Sequence, residues 1–149
     1  MTSSGNLNNL MASFNTIAGS SVYDFLESET DDTWNVMNDS IFKWMQQNMK
    51  NEGLRVLISL ADGTVSFDSS KYSPSVKENL NTFYNFKLKK INENHNSRLA
   101  ILTAMLGNSA LGLENKYSTT TKKFTLYIAQ RVGMNTENAL GCIRISIHK

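Results

Sequence analysis

A single cysteine, Cys142, excludes an intramolecular disulfide and any zinc site built on cysteine pairs. It lies in an apolar run, which reads as a buried structural thiol rather than a nucleophile. One proline, Pro74, leaves the first third of the chain without a helix breaker. Only two histidines occur, His95 and His148, and neither has metal-ligand neighbours at a useful spacing, so no metal site is expected. Charge of one sign is also scarce. The net charge of +2 is too small for a nucleic-acid surface, and the densest basic run (Lys87, Lys89, Lys90) reads as a solvated helix end. No apolar run approaches the ~20 residues of a membrane span, and no signal peptide is legible at the start. Met1 to Gly5 reads as a solvated tail. If the parent is a receptor, this chain is a piece of it.

What remains is a chain of ordinary single-domain length, 149 residues, read as one unit with a helical lead-in (1–53) and a sheet region (54–148). Hydrophobic residues at 40% are enough for a core, and much of the polarity comes from Asn, Ser and Thr, which favour caps and turns.

Leu7, Leu10, Phe14 and Ile17 recur at spacings of three and four. Trp34, Met37, Ile41, Trp44 and Met45 resume the stripe, the apolar face of an amphipathic helix. Gly19 is its weak point, and Thr30-Asp31-Asp32-Thr33 has the composition of a helix start. The pattern predicts one long helix, or two helices broken near 28–32, ending near Asn51-Glu52-Gly53. Gly53 suits a left-handed closing residue.

After Gly53 the period becomes two. Leu54, Val56, Ile58 and Leu60 lead to Asp62-Gly63 and then Thr64 to Phe67, which predicts a hairpin of strands near 54–60 and 64–68. Ser73-Pro74-Ser75 and Ser97 read as starts of two further helices, the second stopped at Gly107. Three more strands follow: Leu111–Tyr117, a run from Phe124 to Ala129, and a last one in which Ile143, Ile145 and Ile147 alternate with Arg144, Ser146 and His148. Five strands behind a long helix predict an α+β fold, an antiparallel sheet with helices mostly on one face.

The order of short motifs carries a resemblance. These are Asp62-Gly63-Thr64 leading to Asp68-Ser69, Asn94-His95 leading to Arg98 at a helix start, Tyr117-Ser118 with Thr120, Leu126-Tyr127 with Ala129, and Gly141 to Ile147 with Arg144 and Ser146. In that order over residues 54–148 the sequence resembles the single-Cache, PAS-like extracytoplasmic sensor domains of bacterial histidine kinases and related receptors. Two departures fall on the loop side: the stretch from Lys71 to Asn92 is longer, and Leu99 stands where relatives often carry proline. The resemblance implies a five-stranded PAS-like sheet with the long helix on one face and a ligand pocket on the other. It implies an extracytoplasmic domain of a membrane-anchored protein that relays ligand binding as a shift of packed elements.

Four residues are candidates for that pocket. Arg98 offers a guanidinium fork for a carboxylate or phosphate beside free helix N–H groups. Tyr127 points away from Leu126 and Ile128, and so away from the helix-packed face. Tyr117 and Thr119 belong to a run of hydroxyls at a strand end, a polar rim or a satisfied turn. The expected partner is a small molecule, carboxylate or other anion, with no cofactor. A homodimer through the N-terminal helix is the expectation for assembly. No nucleophile elbow, Gly-rich phosphate loop or His-Glu pair is present, so the chain is read as a binder, not an enzyme. The second reading is a structural module without a small ligand. Asn38-Asp39-Ser40 matches the N-glycosylation pattern inside the predicted helix.

Overall fold

The structure, a computed structural model, describes residues 3–61, 65–69, 111–118, 122–133 and 138–148. Side chains at 3–5, 111–116 and 118 are not part of that description.

Helix α1 (Ser3–Phe14) begins inside what the sequence presents as a tail. A π-helical turn (Asn15–Gly19) follows, then α2 (Ser20–Glu27). The extra residue in the turn has two local correlates. Asn15 exchanges two hydrogen bonds with Gln130, donating from Nδ2 at 2.7 Å and accepting at Oδ1 at 3.1 Å. Gly19, four residues on, would bring a Cβ to 3.4 Å from that same Oδ1. The chain then breaks at Ser28–Thr30, the second of the two alternatives in the sequence. Helix α3 (Asp31–Gln47) starts there because Thr30 caps it. Thr30 Oγ1 accepts from the Thr33 N–H at 3.1 Å, and Thr33 Oγ1 accepts from the Thr30 N–H at 3.0 Å. Asp31 and Asp32 place negative charge at its positive end.

Helix α3 ends at Gln47, four residues before the expected Asn51. Asn48 Nδ2 donates to the Trp44 carbonyl at 2.9 Å, and Asn51 Nδ2 to the Asn48 carbonyl at 3.2 Å. These side chains compete for the carbonyls that another helical turn would use. Gly53, at φ +68°, is left-handed as expected, but it closes the turn before the sheet. A Cβ there would fall 2.5 Å from the His148 ring.

Five strands follow: β1 (Arg55–Leu60), β2 (Val65–Asp68), β3 (Leu111–Ser118), β4 (Lys123–Val132) and β5 (Gly141–His148). Among the described residues they form one sheet in the order β2-β1-β5-β4-β3, every pairing antiparallel. The expected β1–β2 pairing is present, with Ser59 opposite Val65. The Asp62-Gly63 turn lies outside the described residues, as do the helices expected after Ser73 and Ser97. The class is α+β, as the sequence indicates.

The core forms where the helices cross one face of the sheet. Val56, Ile58, Phe67, Leu126, Ile128, Val132, Ile143, Ile145 and Ile147 meet Leu7, Leu10, Phe14, Val22, Phe25 and the α3 stripe. Trp34, Met37, Ile41 and Trp44 are fully buried in that layer. These four residues fill the domain's own interior, so a homodimer through the N-terminal helices would have to use other positions.

Asn38 is also fully buried, one helical turn from Trp34 and from Phe42. The glycosylation pattern therefore falls on a side chain that a folded domain does not present. Neither polar atom of its carboxamide has a hydrogen-bond partner among the described residues. A buried amide left so costs about 1–3 kcal/mol. Replacing Asn38 with leucine is expected to stabilise the domain by about 1–2 kcal/mol, less whatever the extra methyl groups cost in packing. Urea denaturation of the two proteins decides it, and a lower midpoint for N38L would show that the amide is satisfied.

Candidate functional site

The strand ladders decide what stands on the sheet face away from the helices. Ile143, Ile145 and Ile147 point to the helices, so Cys142, Arg144 and Ser146 point the other way. The same parity sends Leu126 and Ile128 to the helices and Thr125, Tyr127, Ala129 and Arg131 to the far face. In register across the sheet, Asp68, Leu57, Arg144 and Ala129 form one row. Arg55, Ser146 and Tyr127 form a second, and Ser59, Cys142 and Arg131 a third.

This face is polar and yet buried. Arg144 is 1% exposed, Tyr127 8%, Asp68 5%, Ser146 2% and Ser59 2%. Polar groups at that depth are retained only where something offsets their desolvation. Part of the offset is visible. Arg55 grips Asp68 with both arms, Nε to Oδ1 at 3.0 Å and Nη2 to Oδ2 at 2.7 Å. The Ser69 hydroxyl oxygen accepts the Val56 N–H at 2.8 Å. Arg144 stands over the Tyr127 ring, its Cζ 5.2 Å from the centroid. Burial lowers the Arg144 guanidinium to about 10, with the nearby Arg55 charge adding to the effect. It stays cationic at neutral pH. Burial pushes the Cys142 thiol up to about 12, which keeps it protonated and unreactive.

Beside Arg144 in its row is Ala129, whose Cα partner on the next strand is Gly112. Ala129 thus puts a one-carbon side chain between Tyr127 and Arg131. A cation, an aromatic ring and a small side chain come together on β4 and β5.

Of the four sequence candidates, Tyr127 is on this face. Tyr117 is not. It is the Cα partner of Phe124, its ring lies 4.9 Å from the Phe124 ring, and Phe124 has the opposite parity to Tyr127. Tyr117 is 47% exposed, on the other side of the sheet. Arg98 and Thr119 lie outside the described residues. Arg144, at the centre of the face, was not among the candidates. In the sequence it stands in an isoleucine alternation on the last strand, where an arginine reads as solvent-facing. Among the described residues no group of three His, Cys, Asp or Glu side chains is placed to hold a metal ion. Among them, too, no helix is long and apolar enough to cross a membrane.

No family model matches the sequence, and no curated protein matches it. Solved structures do match. The ligand-binding domain of the Campylobacter jejuni chemoreceptor Tlp3, in complex with 4-methylisoleucine, superposes with a TM-score of 0.51 at 10% identity. The match covers 97% of this chain and 53% of that one. A domain of a sensory box/GGDEF family protein from Vibrio parahaemolyticus gives a TM-score of 0.54 at 13% identity, over 95% of this chain and 57% of that one. The chain shares its fold with these two domains. At these identities the likeness concerns the fold alone, and the chain spans about half the length of either match. The result agrees with the Cache resemblance in the sequence.

Proposed function

We propose that this chain is the extracytoplasmic ligand-sensing domain of a membrane receptor, and that it takes a small, carboxylate-bearing molecule on the sheet face away from the helices. The carrying observation is Arg144 held over Tyr127 beside the small Ala129, in a layer buried from solvent. A guanidinium there holds a carboxylate more strongly than at the surface, because screening is weak. Tyr127 supplies a flat wall. Arg98 and Thr119 are proposed, from sequence, to close the site from the loop side. The chemoreceptor domain with the same fold was crystallised with an amino-acid ligand, which supports this ligand class.

The same strands support a route for the relay. Gln130 sits between far-face Ala129 and Arg131 but turns its side chain to the helices and grips Asn15. A ligand that shifts β4 therefore pulls on the π-helical turn, a packed element with an alternative hydrogen-bond register.

Thermal melting in the presence of single L-amino acids and small carboxylates tests the site. A compound at a hundredfold excess over its Kd stabilises by about 2.7 kcal/mol, a rise in Tm of about 5–10 °C for a domain of this size. Arg144→Lys, which keeps the charge and loses the fork, is expected to weaken binding by about tenfold or more. A panel in which no compound moves Tm supports the ligand-free structural module instead. A hit that R144K leaves unchanged moves the site away from this face.

A further inference from the structure

Among the described residues five large hydrophobic side chains are exposed: Tyr23, Val36, Met49, Tyr117 and Phe124. Three of them gather at one end of the domain. Tyr117 and Phe124 are ladder partners with edge-to-face rings next to the β3–β4 connection. Met49 belongs to the turn after α3, and that turn is tied to the same end. Glu52 pairs its carboxylate with the ammonium of Lys123, the neighbour of Phe124, and its carbonyl accepts the His148 N–H at 2.7 Å. The surroundings are cationic. Lys50 and Lys122 are exposed and Lys123 is half-buried. Glu52 is the one carboxylate among residues 48–53, 117–118, 122–125 and 148.

Three half-exposed side chains present roughly 300 Å² of apolar surface. A stable protein interface needs about 800 Å² on each partner and is depleted in lysine at its centre. The combination fits a different occupant. Aromatic rings and a thioether sit well at the headgroup level of a bilayer, and lysine stems lie along apolar surface while their ammonium groups reach phosphate. We propose that this end of the domain rests on an anionic lipid surface. Phe124, Tyr117 and Met49 enter the headgroup layer, and Lys50 and Lys122 meet lipid phosphates. The proposal builds on the membrane-receptor reading but fails separately from it, because ligand binding on the far face is measured without lipid.

The test is co-sedimentation with vesicles of phosphatidylglycerol and phosphatidylethanolamine, against vesicles of phosphatidylcholine. Binding is expected to the anionic vesicles alone and to fall as salt is raised. Removing both lysines, in K50Q/K122Q, is expected to weaken it about thirtyfold, about fivefold for each. Y117S/F124S is expected to abolish it, while Y23S/V36S, the exposed pair away from this end, leaves it intact. All six positions changed are exposed, so unchanged melting curves will show that each variant folds. The proposal is overturned if the wild type stays in the supernatant, or if Y117S/F124S sediments like the wild type. It is equally overturned if sedimentation equilibrium without lipid shows self-association that Y117S/F124S removes, since the end then pairs with a second copy.

Discussion

Gly141→Ala is expected to lower the stability of the domain by at least about 3 kcal/mol, and Gly141→Val to leave it largely unfolded. The cause is backbone geometry. A Cβ at Gly141 would stand 2.2 Å from the Ser59 carbonyl oxygen and 3.1 Å from Leu26 Cδ1. A leucine methyl can swing aside, but the Ser59 carbonyl cannot. It lies within the β1–β5 ladder, where Ser59 is opposite Cys142 and Leu60 opposite Gly141. Gly141 is also the position where β5 meets Val132, the last residue of β4. Making room therefore means opening the sheet between β1 and β5, or lifting α2 away from it. Guanidinium denaturation measures the loss. A G141A midpoint within about 0.5 kcal/mol of the wild type would mean that this corner is looser than its distances imply.

Trp44→Ala is the second large effect, expected at about 3–5 kcal/mol. Trp44 is fully buried and its ring meets Phe14 edge-to-face, centroids 5.2 Å apart. Its indole N–H donates to Ser13 Oγ at 2.8 Å, and the Ser13 hydroxyl donates to the Leu10 carbonyl at 3.0 Å. One residue thus joins α3 to α1 by packing and by a hydrogen-bond chain. Truncation leaves a cavity between two helices that are each fixed to the sheet and so collapse only partly. Trp44→Phe keeps most of the volume and is expected to lose less than half as much. Urea unfolding of both variants gives the comparison. Equal losses would assign the effect to the hydrogen bond instead of the cavity.

The sequence made the secondary structure legible where local chemistry and long-range packing agree. Thr30 with Asp31 and Asp32 announces α3 because the cap is built from the residues themselves. The strand alternations after Gly53 are visible because one face must meet the helices everywhere along the sheet. Two things were not legible. The first is the π-helical turn, since nothing local at Asn15 says that Gln130, far along the chain, will hold its carboxamide. The second is which polar residues of the alternating strands are buried. Arginine between isoleucines reads as solvent-facing, and only the burial of the far face makes Arg144 a candidate. Tyr117 failed for a related reason. Its face depends on the register across the β3–β4 connection, which places it opposite Phe124 instead of in step with Tyr127. A shift of one residue would have reversed that result.

The strand order has a consequence for how the chain is made. The middle position of the sheet belongs to its last strand, with β1 on one flank and β4 on the other. During synthesis β1 has to wait, one edge bare, until Gly141–His148 leaves the ribosome. Pairings so distant in sequence close slowly. Any product that stops short of Gly141 lacks the strand that joins the two halves. Such fragments should be the species that proteases remove first.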